Sequence, residues 1–161
     1  MIVIVAGVTG CGKTAVGAML ARECGWEFHD ADDFHPAANV TKMKNGVPLD
    51  DDERWPWLDR LNALLTDAER QGKSLVLACS ALKQAYRDRL VRGCPAARFV
   101  FLEGDIELIR ARLLARRGHY MNPKLLESQF AIMQAPRQAL RLDVTPEPAA
   151  LVRSIRKEFS L

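Results

Sequence analysis

Short apolar runs alternate with longer amphipathic stretches along the 161-residue chain. The first run, Ile2 to Ala6, contains only apolar residues, which is typical of a strand that is buried on both faces. Four further runs have the length and composition of strands. These are Trp26 to Asp30, Ser74 to Ser80, Arg98 to Gly104 and a weaker run from Leu140 to Val144. The pattern therefore predicts five strands.

The stretches between the strands repeat apolar residues at the spacing of an amphipathic helix. The clearest repeats are Val16, Met19 and Leu20; Trp57, Leu61, Leu64, Leu65 and Ala68; Ile106, Ile109 and Leu113; and Ala149, Val152 and Ile155. Because strands and helices alternate, we expect an α/β fold with a parallel sheet and helices on both of its faces. The length fits one domain over residues 1–161.

Two regions interrupt this alternation. Residues 31–52 are polar and rich in turn formers, and residues 116–136 begin with basic side chains before becoming helical. Both are expected near the carboxyl edge of the sheet, where open α/β folds bind their ligands. We therefore predict a mobile substrate-binding segment at 31–52 and a mobile, lid-like segment at 116–136.

The composition excludes several classes of protein. There are 23 basic and 20 acidic residues, and the net charge of +3 suits small anionic ligands. No basic stripe with interleaved aromatic residues predicts a nucleic-acid surface. No apolar run is long enough to span a bilayer, and the first run is too short for a signal peptide, so we expect a cytoplasmic protein with no membrane partner.

The four cysteines form neither a C-x-x-C pair nor a zinc-binding pattern. We expect reduced thiols, as is usual for an intracellular protein. Cys11 is the exception, because it lies in a glycine-rich loop where a helix N-terminus would lower its pKa.

That loop, "GVTGCGKT", follows the first predicted strand and fits the pattern G-x-x-x-x-G-K-[ST]. Its glycines let successive backbone N–H groups turn inward and cradle phosphates, and the following helix directs its positive end to the same place. Lys13 is expected to reach the β- and γ-phosphates of ATP, and the Thr14 hydroxyl to join the shell of Mg²⁺. The predicted ATP-binding residues of the loop are Gly7, Val8, Thr9, Gly10, Cys11, Gly12, Lys13 and Thr14.

Two carboxylates follow the second predicted strand. Many proteins with such a loop carry a metal-binding aspartate at the end of a later strand, but Cys79 and Ser80 stand there in this chain. The best substitutes are Asp30 and Asp32, whose side chains would point the same way in an extended segment. We assign Asp30 to Mg²⁺ and Asp32 to accepting a proton from an attacking hydroxyl. The alternative is that both cap the helix predicted after Pro36.

Three segments closely resemble the substrate-binding parts of the gluconate kinase family. They are "DADDFHPAANVTKMKNGVPLDDDERWPWLDRLN", "CSALKQAYRDRL" and "RLLARRGHYMNPKLLESQFAIMQAP". The resemblance implies a P-loop kinase of three α/β/α layers that uses ATP and Mg²⁺ to phosphorylate the 6-hydroxyl of D-gluconate, and it suggests a homodimer. The chain departs from the family pattern at Cys11, where a serine is usual, and at Ala135, where an acid and a longer connection are usual.

Gluconate carries a carboxylate at one end, so its site needs a cation there. Among Lys42, Arg54, Lys83 and Arg87, we favour Arg54 because a guanidinium fork binds both carboxylate oxygens. The alternative for Arg54 is an ion pair with its acidic neighbours. Lys83 and Arg87 are four residues apart and would share a helix face, which is either a substrate contact or a solvated basic surface.

Other polar residues of these segments have competing interpretations. His35 either binds a substrate hydroxyl or has a structural role next to Pro36, and Asp30 and Asp32 are also counted with the substrate-binding residues. The acids Asp50 to Glu53 are interpreted as helix-start residues rather than a metal site, with Pro56 in the first turn of that helix. Trp55 and Trp57 are expected to pack in the core, although one of them would also suit the wall of a sugar-acid pocket.

The basic residues after the fourth strand belong to the predicted lid. Arg116 and Arg117 precede a glycine, and from there an arginine can swing onto a transferring phosphoryl group. Their alternative role is to stabilise a helix C-terminus. Arg112 is expected nearer the adenine, and His119 is counted with the substrate-binding residues.

Two other functions remain open at this point. One is a kinase of the same fold that acts on another small acid, such as shikimate, or on a nucleotide. The other is an ATP-binding protein that transfers no phosphoryl group.

Overall fold

The computed structural model describes residues 1–116 and 122–161. Its five strands form one sheet in which every neighbouring pair is parallel, in the order β2-β3-β1-β4-β5. The strands are β1 (Ile2–Ala6), β2 (Glu27–Asp30), β3 (Leu75–Ala78), β4 (Ala97–Glu103) and β5 (Leu140–Asp143). The five-stranded parallel sheet is confirmed.

Seven α-helices are present in the described residues, together with a short 3₁₀ turn at Ala31–Phe34. They are α1 (Lys13–Cys24), α2 (Ala37–Lys44), α3 (Asp51–Arg70), α4 (Gln84–Leu90), α5 (Ile106–Leu114), α6 (Leu125–Ile132) and α7 (Pro148–Phe159). None of the helices in this part of the chain has the length and hydropathy needed to cross a membrane.

Two separate hydrophobic clusters show that the sheet is covered on both faces. Val3 and Val5 of β1 join the cluster that contains Leu20 of α1 and Ile155 of α7. The intervening Ile4 joins the other cluster, with α3 and α4. Because alternate residues of a strand face opposite sides, this division establishes the three α/β/α layers.

The start of α3 differs from the prediction in one respect. Asp50 and Glu53 form a capping box, in which each side chain accepts a hydrogen bond of 2.8 Å from the other residue's backbone N–H. The acids are therefore helix-start residues, as expected. The position predicted for Pro56 is wrong, because this box starts the helix at Asp51 and leaves Pro56 inside it.

Candidate active site

The phosphate loop connects β1 to α1 at the carboxyl edge of the sheet. Gly7, Gly10 and Gly12 all have positive φ angles, of 139°, 80° and 100°. At Gly7 a Cβ would lie 2.6 Å from the backbone oxygen of Leu102, so no other residue fits there. Gly12 caps α1 without any side-chain hydrogen bond, which leaves the first N–H groups of the helix for an anion.

The loop carries a cation, Lys13, and a thiol, Cys11. The ammonium of Lys13 donates a hydrogen bond of 2.8 Å to the backbone oxygen of Val8 and so lies along the loop. Cys11 is buried, and this desolvation raises the pKa of its thiol despite the opposing charge of Lys13. The expectation of a lowered pKa at Cys11 is therefore wrong. All four cysteines are free.

Asp30 connects the loop to the end of β2. Its Oδ2 accepts a hydrogen bond of 2.7 Å from the Thr14 hydroxyl, and its Oδ1 accepts one of 3.0 Å from the backbone N–H of Asp32. Asp30 thus caps the 3₁₀ turn rather than a helix after Pro36, whose N-terminus has no side-chain cap. Asp32 lies in that turn, so the predicted extended conformation of this segment is wrong. Both carboxylates nevertheless lie beside the phosphate loop.

Beside the loop is a cavity that we call the inner cavity. It is lined by residues from the loop, the 3₁₀ turn and the residue after it, α2, α3, the segment after β3, α4 and α6. The polar and aromatic ones are Thr9, Lys13, Asp32, His35, Arg54, Trp57, Ser80, Tyr86 and Gln129. Of the predicted substrate residues, the structure therefore brings Asp32, His35 and Arg54 together beside Lys13.

The carboxyl group of Asp32 is the main titratable group of the inner cavity. Desolvation raises the pKa of this partly buried group to about 6, against the opposing effect of the Lys13 ammonium. Asp30 and Asp33 raise it further by charge repulsion. A carboxylate with a pKa near neutrality, close to a lysine on a phosphate loop, is suited to accept a proton.

His35 lies flat against Trp57, with the two ring centroids 4.2 Å apart and an angle of 14° between the planes. Burial, together with the charge of Arg54, lowers the pKa of His35 to about 4, so its ring is neutral at neutral pH. The Nδ2 atom of Asn39 donates to the backbone oxygen of Glu53 at 3.2 Å and lies 3.5 Å from Nδ1 of His35. An Asn39 amide that donates in this long contact matches the tautomer of His35 that carries its proton on Nε2.

Arg54 has no carboxylate partner within ion-pair distance among the described residues, so the alternative of a pair with its acidic neighbours does not hold. Its Nη1 donates a hydrogen bond of 3.0 Å to the hydroxyl of Tyr86. Two of the acids that precede it have other partners. Glu53 pairs with Lys42 at 2.6 Å, and Asp51 binds Lys83 at 3.2 Å and Tyr86 at 2.5 Å.

The structure does not bring the other predicted substrate cations to the inner cavity. Lys42 and Lys83 are held in the ion pairs just described. The prediction for Arg87 is wrong, because the residue is 2% exposed and its guanidinium donates to the backbone oxygens of Ala81, Leu82 and Gln134. Lys83 precedes α4 as its cap residue, so the two side chains do not share a helix face toward a ligand.

On the other side of the phosphate loop is an outer cleft. Gly10, Gly12, Arg112, Arg116 and Thr145 are among the residues that line it. Arg112 donates a hydrogen bond of 2.8 Å to the backbone oxygen of Val144, which fixes it beside the segment after β5. Arg116 is close enough to the inner cavity to lower the pKa of Asp32. Arg117 and His119 lie outside the described residues.

Three of the polar and aromatic residues of the inner cavity were not predicted: Ser80, Tyr86 and Gln129. Gln129 of α6 accepts a hydrogen bond of 2.7 Å from the backbone N–H of Thr9, which joins the helix after the predicted lid to the phosphate loop. A signal for Gln129 was present, since it is one of the few polar residues in the largely apolar segment "LLESQFAI".

The order of the strands, the glycine loop after β1 and a carboxylate facing the loop lysine define a phosphotransferase of the P-loop kinase class. A family model described as an AAA domain matches residues 2–140. A probable gluconokinase of Rattus norvegicus is 45% identical, over 94% of this chain and 95% of that protein. The chain belongs to the gluconokinase family.

Solved structures agree with this membership. An unliganded sugar kinase from Janibacter sp. HTCC2649 is 39% identical and superposes with a TM-score of 0.93, over 99% of this chain and 94% of that one. A gluconokinase from Sinorhizobium meliloti 1021 is 39% identical with a TM-score of 0.84, over 94% of this chain and 86% of that one.

Proposed function

We propose that this chain transfers the γ-phosphoryl group of ATP to the 6-hydroxyl of D-gluconate. The names of its relatives support this function. The observation that carries it is the inner cavity, in which Lys13 of the phosphate loop, the carboxyl group of Asp32 and the guanidinium of Arg54 face one space. These three groups match a phosphoryl donor, a hydroxyl and a carboxylate respectively.

The nucleotide would bind with its phosphates in the glycine loop and its adenine in the outer cleft beside Arg112. Lys13 would exchange its hydrogen bond with the Val8 oxygen for one with a phosphate oxygen. Thr14 and Asp30 place a hydroxyl and a carboxylate 2.7 Å apart, and such oxygen donors suit Mg²⁺. No group of three or more His, Cys, Asp and Glu side chains within residues 1–116 and 122–161 could hold a metal, so the phosphates would complete the shell. When bound, Mg²⁺ neutralises charge on the phosphates.

Gluconate would bind with its carboxylate at Arg54 and its 6-hydroxyl at Asp32. His35 would donate from Nε2 to a hydroxyl between these ends. Asp32 would take the proton of the attacking 6-hydroxyl, and Arg116, with Arg117 and His119 in the predicted lid, would complete the site. We also propose that segments 31–52 and 116–136 close over the substrates within a single domain, which would exclude water as a competing nucleophile.

The pH dependence of kcat/KM for gluconate tests the role of Asp32. Since the base must be ionised, we expect kcat/KM to fall as the pH is lowered through about 6. His35 is neutral above its pKa of about 4, so its titration does not contribute to the fall in kcat/KM near pH 6. The measurement is a steady-state profile at saturating ATP. A kcat/KM that is unchanged from pH 8 down to about pH 5 would show that Asp32 is not the base.

Substitution of Arg54 tests the carboxylate clamp. Arg54→Ala is expected to raise KM for gluconate by about tenfold or more, because a charged hydrogen bond to the substrate is lost. KM for ATP should stay unchanged, since Arg54 is on the side of the loop away from the outer cleft. Arg70→Ala, at the other end of the same helix, is the matched control and should leave both KM values unchanged. Equal effects of the two substitutions on gluconate KM would rule out the clamp.

An acceptor panel separates gluconate from the two open alternatives. ADP formation is measured with gluconate, shikimate and nucleoside monophosphates in parallel. The proposal requires gluconate to give much the highest kcat/KM. A preference for another acceptor favours a kinase of the same fold with a different substrate, and ATP binding without transfer to any acceptor favours a binding protein.

The homodimer stays a prediction from the family resemblance, and the cytoplasmic location stays a prediction from the pattern of apolar runs in the sequence. Light scattering on the purified protein tests the first, with a mass of twice 18.0 kDa expected.

A further inference from the structure

The hydroxyl of Tyr86 lies between a cation and an anion at the edge of the inner cavity. It accepts a hydrogen bond of 3.0 Å from Nη1 of Arg54 and donates one of 2.5 Å to Oδ1 of Asp51. The same Oδ1 also accepts a hydrogen bond of 3.2 Å from Lys83. Tyr86 is 2% exposed, so this hydroxyl has little access to solvent. The three contacts join the start of α3 to the start of α4.

The direction of these hydrogen bonds follows from the charges. A tyrosine hydroxyl has one proton, and an ionised carboxylate can only accept. The hydrogen bonds from Tyr86 and Lys83 lower the pKa of Asp51, whereas burial raises the pKa of Tyr86, so Asp51 is ionised and Tyr86 is protonated at neutral pH. The proton of Tyr86 therefore points to Asp51, and its oxygen faces Arg54.

The ring of Tyr86 holds the same two cations. The guanidinium carbon of Arg54 lies 5.2 Å from the ring centroid, and Nζ of Lys83 lies 5.4 Å from it. The ring also packs edge-on against Trp55, with 5.6 Å between the centroids. These contacts depend on the aromatic ring and not on the hydroxyl, so a phenylalanine at this position would keep them.

The hydroxyl has a consequence for Arg54. A guanidinium fork binds a carboxylate through two parallel hydrogen bonds, and Asp51 is close enough for its charge and that of Arg54 to interact. With Tyr86 between them, Arg54 uses one of its five N–H donors on a neutral oxygen. The other donors stay available to a ligand in the inner cavity, which Arg54 lines.

We propose that Tyr86 is a positioning residue for gluconate binding, and that its hydroxyl keeps Arg54 from pairing with Asp51 so that the guanidinium faces the substrate carboxylate. Lys83 supports this arrangement by giving Asp51 a cation of its own. The proposal rests on the proposed function for the identity of the substrate.

Tyr86→Phe tests the proposal, because it removes the hydroxyl and keeps the ring. KM for gluconate is expected to rise by about tenfold, while kcat and KM for ATP change by less than about twofold. A merely structural role for Tyr86 would instead lower the melting temperature or affect both substrates. A crystal structure of Tyr86→Phe without ligands is expected to show a direct ion pair between Arg54 and Asp51.

A second substitution tests whether Asp51 is the group that competes for Arg54. Asp51→Asn added to Tyr86→Phe removes the competing anion, so KM for gluconate should fall back toward that of the unaltered protein. If the double variant binds gluconate no better than Tyr86→Phe, or if Tyr86→Phe shows neither a raised KM nor the new ion pair, the proposal is overturned.

Different experimental results would contradict the proposed function itself. An unaltered protein that does not phosphorylate gluconate, or an Arg54→Ala variant with normal gluconate KM, contradicts the function itself and this proposal with it. An active protein whose gluconate KM depends on Arg54 but not on Tyr86 contradicts only the role of Tyr86.

Discussion

Lys13→Ala is expected to reduce kcat by about a hundredfold to a thousandfold, because it removes a preorganised cation from the charge that develops on the transferring phosphoryl group. The protein should remain folded. Lys13 is the first residue of α1, and its side chain donates to the loop oxygen of Val8. The neighbouring carboxyl of Asp32, whose pKa the ammonium lowers, can take up a proton when that charge is lost. Steady-state kinetics with saturating ATP and gluconate measure the effect, and far-UV circular dichroism checks the fold.

Lys73→Ala is a suitable control for that substitution. Lys73 is exposed, lies before β3 and is 3.9 Å from Glu27, so it should contribute nothing to turnover. If Lys13→Ala turns over at a rate close to that of Lys73→Ala, the lysine of the loop has no part in phosphoryl transfer and the assigned role is wrong.

Asp32→Asn is expected to lower kcat by about a hundredfold to ten-thousandfold, because an amide cannot accept the proton of the attacking hydroxyl. KM for gluconate should change much less, since an asparagine still offers a hydrogen-bonding side chain of the same size. The residual activity should also lose the fall in kcat/KM through pH 6, because the group with that pKa is gone. Steady-state kinetics over the pH range test both expectations.

Asp33→Asn is the matched control, since Asp33 lies in the same 3₁₀ turn but is exposed. It raises the pKa of Asp32 by charge repulsion, so its loss should move the pH profile slightly to lower pH and leave kcat nearly unchanged. A loss of gluconate affinity without a loss of kcat in Asp32→Asn would make Asp32 a binding group and not a base.

The fold could be predicted from the sequence because its signals are local. The unbroken apolar run of β1 predicts the buried strand, and the glycines that follow it predict the phosphate-binding turn. The capping box at Asp50 and Glu53 is also a local pattern, and it explains the acidic run. The misplaced helix start shows the limit of single-residue rules, since the preference of Pro56 for a first turn was weaker than the reciprocal bonds of the box.

The sequence predicts site residues that lie within or next to the motifs, but not those whose position depends on contacts with distant segments. Asp32 lies at the start of the predicted substrate segment and Arg54 just after its end, and both face one cavity. Arg87, like Arg54, is an arginine in a polar segment that resembles the family's substrate-binding parts. Its partners include Gln134, which is 47 residues away, and the residues around Arg87 do not predict that contact. Tyr86 and Gln129 were missed for the same reason, because their roles depend on Arg54 and Thr9 in distant segments.

The most direct test of the account is the identity of the product that the purified protein forms from Mg²⁺, ATP and D-gluconate. We expect ADP and a phosphate ester of the primary 6-hydroxyl, whose ³¹P resonance is split into a triplet by the two protons on the adjacent carbon. Inorganic phosphate in place of an ester, or a doublet from a secondary alcohol, would contradict the proposed transfer.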